Sequence, residues 1–228
     1  MKKERVFSSE AAYFAGIIIL AFGGALMTMA DFGLSMVIAP AYLLHLKISQ
    51  YLPFYSFGMS AYMFQALLLA VLSLGLGRFK KSYPLSFLTA IFYGLMLDLF
   101  LYLLSFLPCS GIGWRIVFYV LGLPACSLGV ALVFHTYFPP EAYEVVVKEC
   151  SEKLHLPIGK TKTIYDCCSC ALGIILSFVF FGFGKFVGVQ WGTIICALIN
   201  GWLISRFSNL LEKLFVFRDA LPLQEKLN

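Results

Sequence analysis

Residues 84–100 read PLSFLTAIFYGLMLDLF. Asp98 is the only charge in this stretch, and Ser86, Ala90 and Gly94 precede it at intervals of four, which puts them on one face of a helix. Continued to residue 107, the run is long enough to cross a bilayer core, which takes about 20 mostly apolar residues. An aspartate within such a span costs about 2.5–3.5 kcal/mol by translocon scales, so its presence asks for a function.

The rest of the chain repeats the pattern. Of its 228 residues 61% are apolar and 13% charged, with a mean hydropathy of +0.87. Six stretches are long and apolar enough to span: 12–30, 56–77, 84–107, 113–135, 163–184 and 189–208. The remainder is too short for a separate soluble domain. The chain is read as an all-α protein, a single membrane domain over 1–228, whose first partner is the lipid bilayer. The basic start MKKER and the small residues of MTMAD resemble a secretory signal. The internal duplication described below gives the first helix a counterpart deep in the chain, so it is expected to be retained.

Charge sets the expected orientation. With the N-terminus in the cytoplasm, Lys2, Lys3, Arg5, Arg78, Lys80, Lys81, Lys148, Lys153, Lys160, Lys162, Arg206, Lys213, Arg218 and Lys226 fall inside, and only Lys47, Arg115 and Lys185 outside. This 14-to-3 bias places both termini in the cytoplasm of a multi-pass cell-membrane protein. It also accounts for the net charge of +5, and no nucleic-acid partner follows from it. Of seven cysteines only Cys109 reaches the outer side, which argues against a disulfide framework. Cys167, Cys168 and Cys170 lack the second, separated pair of a structural metal site and are read as packing residues, so neither metal nor cofactor is expected.

Sliding the chain against itself reveals a duplication. FGGAL at 22–26 resembles LGVAL at 128–132, offset by 106 residues, and GLGRF at 75–79 resembles GFGKF at 182–186, offset by 107. The latter offset carries TAIFYGLMLDLF at 89–100 onto CALINGWLISRF at 196–207. Each half, about 12–107 and 113–214, has three crossings. An odd number makes the second half enter from the opposite side, so the fold is expected to be two inverted three-helix repeats, an architecture recurrent in secondary transporters. Amphipathic segments join the first and second helices of each half. The inner one, 139–157, has Tyr143, Val146, Val147, Cys150 and Leu154 at helical spacing and reads as a helix lying along the membrane. The outer one, GLSMVIAPAYLLHLKISQYLP, is more apolar and suited to dipping into the bundle. Whether either is a gate stays open.

LHLPIGKTKTIYDCC followed by FFGFGKFVGVQWGTIICALINGWL resembles the second half of the YczE/YitT-like bacterial membrane proteins, through Gly159, Lys162, Thr163, Asp166, Gly192 and Thr193. In the first half GGALMTMADFGLS resembles that family's small-residue helix and Ala-Asp-x-Gly turn, but Met36-Val37-Ile38 stands where a proline is expected. The resemblance spans most of 14–205. It implies this fold and topology in a bacterial inner membrane, and roles such as export or uptake of small molecules or support of secondary-metabolite production.

Intramembrane polar residues supply the binding candidates: Asp98, Asp166, Gln65, Asp31, Asn200 and Lys162. Lys162 and Asp166 stand four apart on one face, either paired or separately solvated at the interface. Gln65 stands opposite Asp166 if Gly58 is aligned with Gly159, and falls out of register if the helices are aligned from Gly77 and Gly184. Asp31, two residues before Gly33, suits a helix-ending turn. His135 ends the fourth helix, and Pro124 should kink it. At the 107-residue offset Ser86, Ala90, Gly94 and Asp98 answer to Thr193, Ala197, Gly201 and Ser205. Asp98 is therefore expected at a seam between the halves near an outer vestibule, as a site or as an interhelical hydrogen bond.

No Walker A loop, Gly-x-Ser-x-Gly elbow or His-Glu-x-x-His motif occurs, so no catalytic residue is assigned and no enzyme is expected. The leading expectation is a secondary transporter or permease of a small polar metabolite, an amine being one option. Its rivals are a capturing subunit of a vitamin transporter energised by separate ATPases and a non-transport accessory protein. Homo-oligomerisation and an energising partner stay open.

Overall fold

The computed structural model describes residues 5–33, 35–55, 57–77, 79–80, 82–107 and 111–219. Cys109, and Lys2, Lys3, Arg78, Lys81 and Lys226 of the charge count, lie outside them. The described chain forms α1 (Ser9–Ala30), α2 (Ala39–Ile48), α3 (Phe57–Leu76), α4 (Leu85–Ser105), α5 (Ile112–Phe134), α6 (Ala142–Leu154), α7 (Ile158–Phe181) and α8 (Trp191–Leu214). All but α2 and α6 are long and apolar enough to span a bilayer, and the protein is a multi-pass membrane protein.

Local sequence sets the helix limits. The Ser8 hydroxyl accepts from Ala11 N at 3.2 Å at the start of α1, and Asp31 closes it in the left-handed region at φ 51°. α7 starts at Ile158, five residues before the apolar run at 163, because Pro157 initiates it and Lys162 is neutralised inside the protein. Strands β1 (Arg5–Ser8) and β2 (Phe215–Arg218) pair in parallel beside the start of α1 and the end of α8. This marks a termini side, which also holds the α3–α4 connection and α6; α2 and the α4–α5 and α7–α8 connections lie on the far side.

The centre is an antiparallel pair, α1 on α5, whose backbones touch through glycine. A Cβ on Gly23 would lie 2.5 Å from Cys126 N and 2.8 Å from Gly122 O; one on Gly129 would lie 2.6 Å from Leu20 N and 2.7 Å from Gly16 O. Around this axis α4 packs on α1 and α8 on α5, while α2 and α6 each bridge α3 and α7. α7 lies along α8, with Gly159 against Gly201 and Ser205. Among the described residues the backbones of α3 and α4 barely meet, although the Tyr62 and Phe87 rings pack with centroids 6.3 Å apart.

Two sequence expectations are corrected by this packing. α6 buries more than its apolar face: Tyr143 and Val147 are buried, but so are Glu144 and Glu149, while Leu154 is 60% exposed. The reason is ion pairing, Glu144 with Lys162 at 3.2 Å and Glu149 with Lys80 at 2.5 Å. Asp98 is not at a seam between the halves. α4 packs mainly on α1, Asp98 is exposed, and a Cβ on Gly94 would meet nothing within 4 Å. The stripe closes only at Ser86 and Ala90, which are buried.

Candidate functional site

A cavity of about 440 Å³ lies beside the α1–α5 axis. Its far end is bounded by the loops around Asp31–Ile38 and Val187–Gln190, and its floor on the termini side by Glu141, Glu144, Lys162 and Asn200. Leu20, Met27, Met36, Leu97 and Val130 make its walls mainly apolar, with Tyr42 and Tyr93 among them.

The floor is a linked polar set drawn from four helices. Lys162 Nζ stands 3.0 Å from Asp166 Oδ1 and 3.2 Å from Glu144 Oε1. Asn200 Nδ2 donates to Asp166 Oδ2 at 3.2 Å, and Asn200 Oδ1 lies 2.8 Å from Ser127 Oγ. Lys162, Asp166, Asn200 and Ser127 are each at most 6% exposed. Asp166 is eight residues into α7 from the termini side and Asn200 nine into α8 from the far side, about 12–14 Å from each end, so the set sits near mid-membrane. A buried ammonium is retained here because two carboxylates neutralise it, where a single partner would leave most of its desolvation cost unmet.

Glu141, on the residue before α6, completes the floor. Its Oε1 is buried with no hydrogen-bond partner among the described residues, and it gives no cap bond to its helix. Burial above all, then the charge of Glu144, push its carboxyl up from 4.5 to about 8, against the opposing pull of Lys162. A separate small cavity of about 10 Å³, lined by Thr89, Tyr93 and Pro140, shares Glu141 and Glu144 with it.

Two tyrosines fasten the ends. On the termini side Tyr13 Oη lies 2.6 Å from Thr89 Oγ1, Thr89 donates to Pro139 O at 2.8 Å, and the Tyr13 ring packs on Phe138 with centroids 4.8 Å apart. On the far side Tyr119 Oη donates to Gly192 O at 2.6 Å, and its ring meets Phe32 edge-on at 5.7 Å. There Gly33, at φ 106°, approaches Gln190 and Thr193 too closely for any side chain.

Of the residues singled out from sequence, the structure brings together Lys162, Asp166 and Asn200. Asp31 caps α1 at the far rim, its carboxylate 3.2 Å from the Arg115 guanidinium, whose Nε donates to Ala30 O at 2.8 Å. Gln65 is buried on α3 beside Tyr143, away from the cavity lining, and Asp98 is apart from it altogether. His135 ends α5 on the termini side, with Nε2 3.2 Å from Glu212. Glu141, Glu144 and Ser127 were not among the sequence candidates. The only local signal for the glutamates is EAYE at 141–144, which puts both on one helical face but does not say that the face turns inward.

The profile of a family described as "Family of unknown function (DUF6198)" matches residues 7–209, nearly the whole chain. No curated protein and no solved structure matches it.

Proposed function

We propose that this chain, which belongs to that family of unknown function, is a secondary transporter or permease of a small polar metabolite, working by alternating access between two inverted repeats. The observation that carries this reading is the cavity of about 440 Å³ with a charged floor near mid-membrane, lined by elements of both halves of the chain. We place both termini in the cytoplasm on the strength of the Lys/Arg bias, and the membrane as a bacterial inner one on the resemblance to the YczE/YitT-like proteins.

The packing supports the repeat. Shifting Gly16 and Gly23 by 106 residues gives Gly122 and Gly129, and the close approaches Gly16 to Gly129 and Gly23 to Gly122 exchange under that shift. The same operation turns Tyr13 on Phe138 into Tyr119 on Phe32, so the two end fastenings are counterparts. A pseudo-two-fold through the middle of α1 and α5 would account for both. The counterpart helices differ in one respect: α7 lies along α8, whereas α3 and α4 diverge. In an alternating-access cycle this difference reverses, α3 closing on α4 as α7 leaves α8.

Flux in sealed proteoliposomes across a panel of small cationic, neutral and anionic metabolites tests the reading. Saturable uptake that is lost in Lys162→Met and Asp166→Asn supports it. Silence across the panel, in vesicles whose protein remains folded, overturns it.

A further inference from the structure

The floor of the cavity carries two carboxylates, Glu141 and Glu144, and one ammonium, Lys162; a third carboxylate, Asp166, is buried behind it, 3.0 Å from that ammonium. Glu144 and Asp166 share that ammonium, and Asp166 also accepts from Asn200. Glu141 is left over: it borders both the cavity and the small separate one, and its buried Oε1 has no protein donor among the described residues. The charged and titratable groups around it add no second cation. They are Tyr13 from α1, Tyr93 from α4, Cys126 from α5, Tyr143 and Glu144 from α6, and Lys162 and Asp166 from α7. A fully ionised floor would bury an excess of two negative charges, which is unfavourable at membrane depth.

We infer that the ligand of this cavity is an organic monocation, an ammonium on an apolar body, and that it binds at the Glu141 carboxylate in exchange for one proton. The inference rests on the reading of the cavity as a substrate site and gives that substrate its chemical class. The exchange balances: protonated Glu141 gives its proton to water on the open side, and the carboxylate so formed accepts from the ligand's N–H groups. Net charge on the floor is the same before and after, one negative charge instead of two, so binding adds no buried charge. Burial keeps the Glu141 proton in place to about pH 8, so the exchange operates at neutral pH. The apolar walls fit the ligand's body, and Tyr42 and Tyr93 are among the residues that line the cavity.

Binding to the purified full-length protein tests this without any need for transport. The probes are monoammonium compounds from ethylammonium to phenethylammonium, each with the alcohol and the carboxylate of the same shape, such as 2-phenylethanol and phenylacetate. Calorimetry in buffers of differing ionisation enthalpy reads affinity and proton release together. The expected result is that ammonium probes bind best and release close to one proton per site near pH 7, falling towards none near pH 10. Glu141→Gln weakens them by about tenfold or more and abolishes the release, whereas Glu141→Asp retains it. Stronger binding of the alcohol or carboxylate, binding without proton release, no ammonium binding, or a Glu141→Gln variant like wild type overturns the inference. Proton-coupled binding by a protein silent in liposomes refutes transport and leaves this inference standing; carriage of anions alone does the reverse.

Discussion

Lys162 shows how a residue can read one way in sequence and act another way in the fold. Four residues from Asp166 and near a helix start, it suits either a local pair or an extended side chain reaching the interface. The third partner decides: Glu144, 18 positions away in sequence, lies 3.2 Å from the ammonium and holds it inside. Lys162→Met should therefore cost about 3–5 kcal/mol by leaving buried carboxylates unneutralised, measured by denaturant titration of helicity in detergent. Pairing it with Asp166→Leu should recover part of that loss, and a single variant within about 0.5 kcal/mol of wild type would rule out the buried triad. Glu141 makes a pH prediction. The folded protein keeps its proton to about pH 8, while the unfolded chain loses it near 4.5. Between those values the native state binds the extra proton, so stability falls as pH rises through the window and is level above it. The slope attributable to this group is at most about 1.4 kcal/mol per pH unit. Glu141→Gln should flatten it, and an unchanged slope would assign the dependence elsewhere.

At the level of elements, what distinguishes helices of similar composition is how closely they approach their neighbours. α1 and α5 touch backbone to backbone, so Gly23→Leu or Gly129→Leu has no room and should cost about 1–3 kcal/mol or prevent assembly. Gly94→Leu, with open space at its Cβ, should be within about 0.5 kcal/mol of wild type. Size-exclusion profiles and melting curves of the three variants check this contrast. Helical spacing in the sequence brings out small-residue stripes on α4 and α8 alike, yet only the one on α8 meets a facing glycine, Gly159 of α7. For that reason Asp98, which follows the α4 stripe, could not be placed from spacing alone. α6 makes the same point with charge. Its apolar residues recur at helical intervals and Tyr143 and Val147 are buried, but the oppositely charged Lys80 and Lys162 bring Glu144 and Glu149 inside as well.

For the whole molecule, the proposed orientation and cycle make predictions of access. A cysteine at Lys185, in the far-side connection, should react with an impermeant maleimide in intact cells, and one at Lys153, on the termini side, only after permeabilisation; the reverse pattern would invert the topology. Cys126 lines the cavity, so its labelling reports which end is open. Tyr13→Phe removes the bond to Thr89 and should speed labelling of Cys126 from the termini side severalfold, while Tyr119→Phe, which removes the bond to Gly192, should do so from the far side. Equal effects from one side would break the correspondence of the two fastenings. The number and order of spanning helices are determined by the sequence itself, because twenty consecutive apolar residues have no stable place but a bilayer or a core. Lys162, Asp166 and Asn200 were also legible, since a polar group at membrane depth is too costly to be incidental. That they meet, with Glu141 and Glu144 above them and without Asp98 and Gln65, was decided only by tertiary structure: the direction a helix face turns depends on charges and gaps that other helices bring to it.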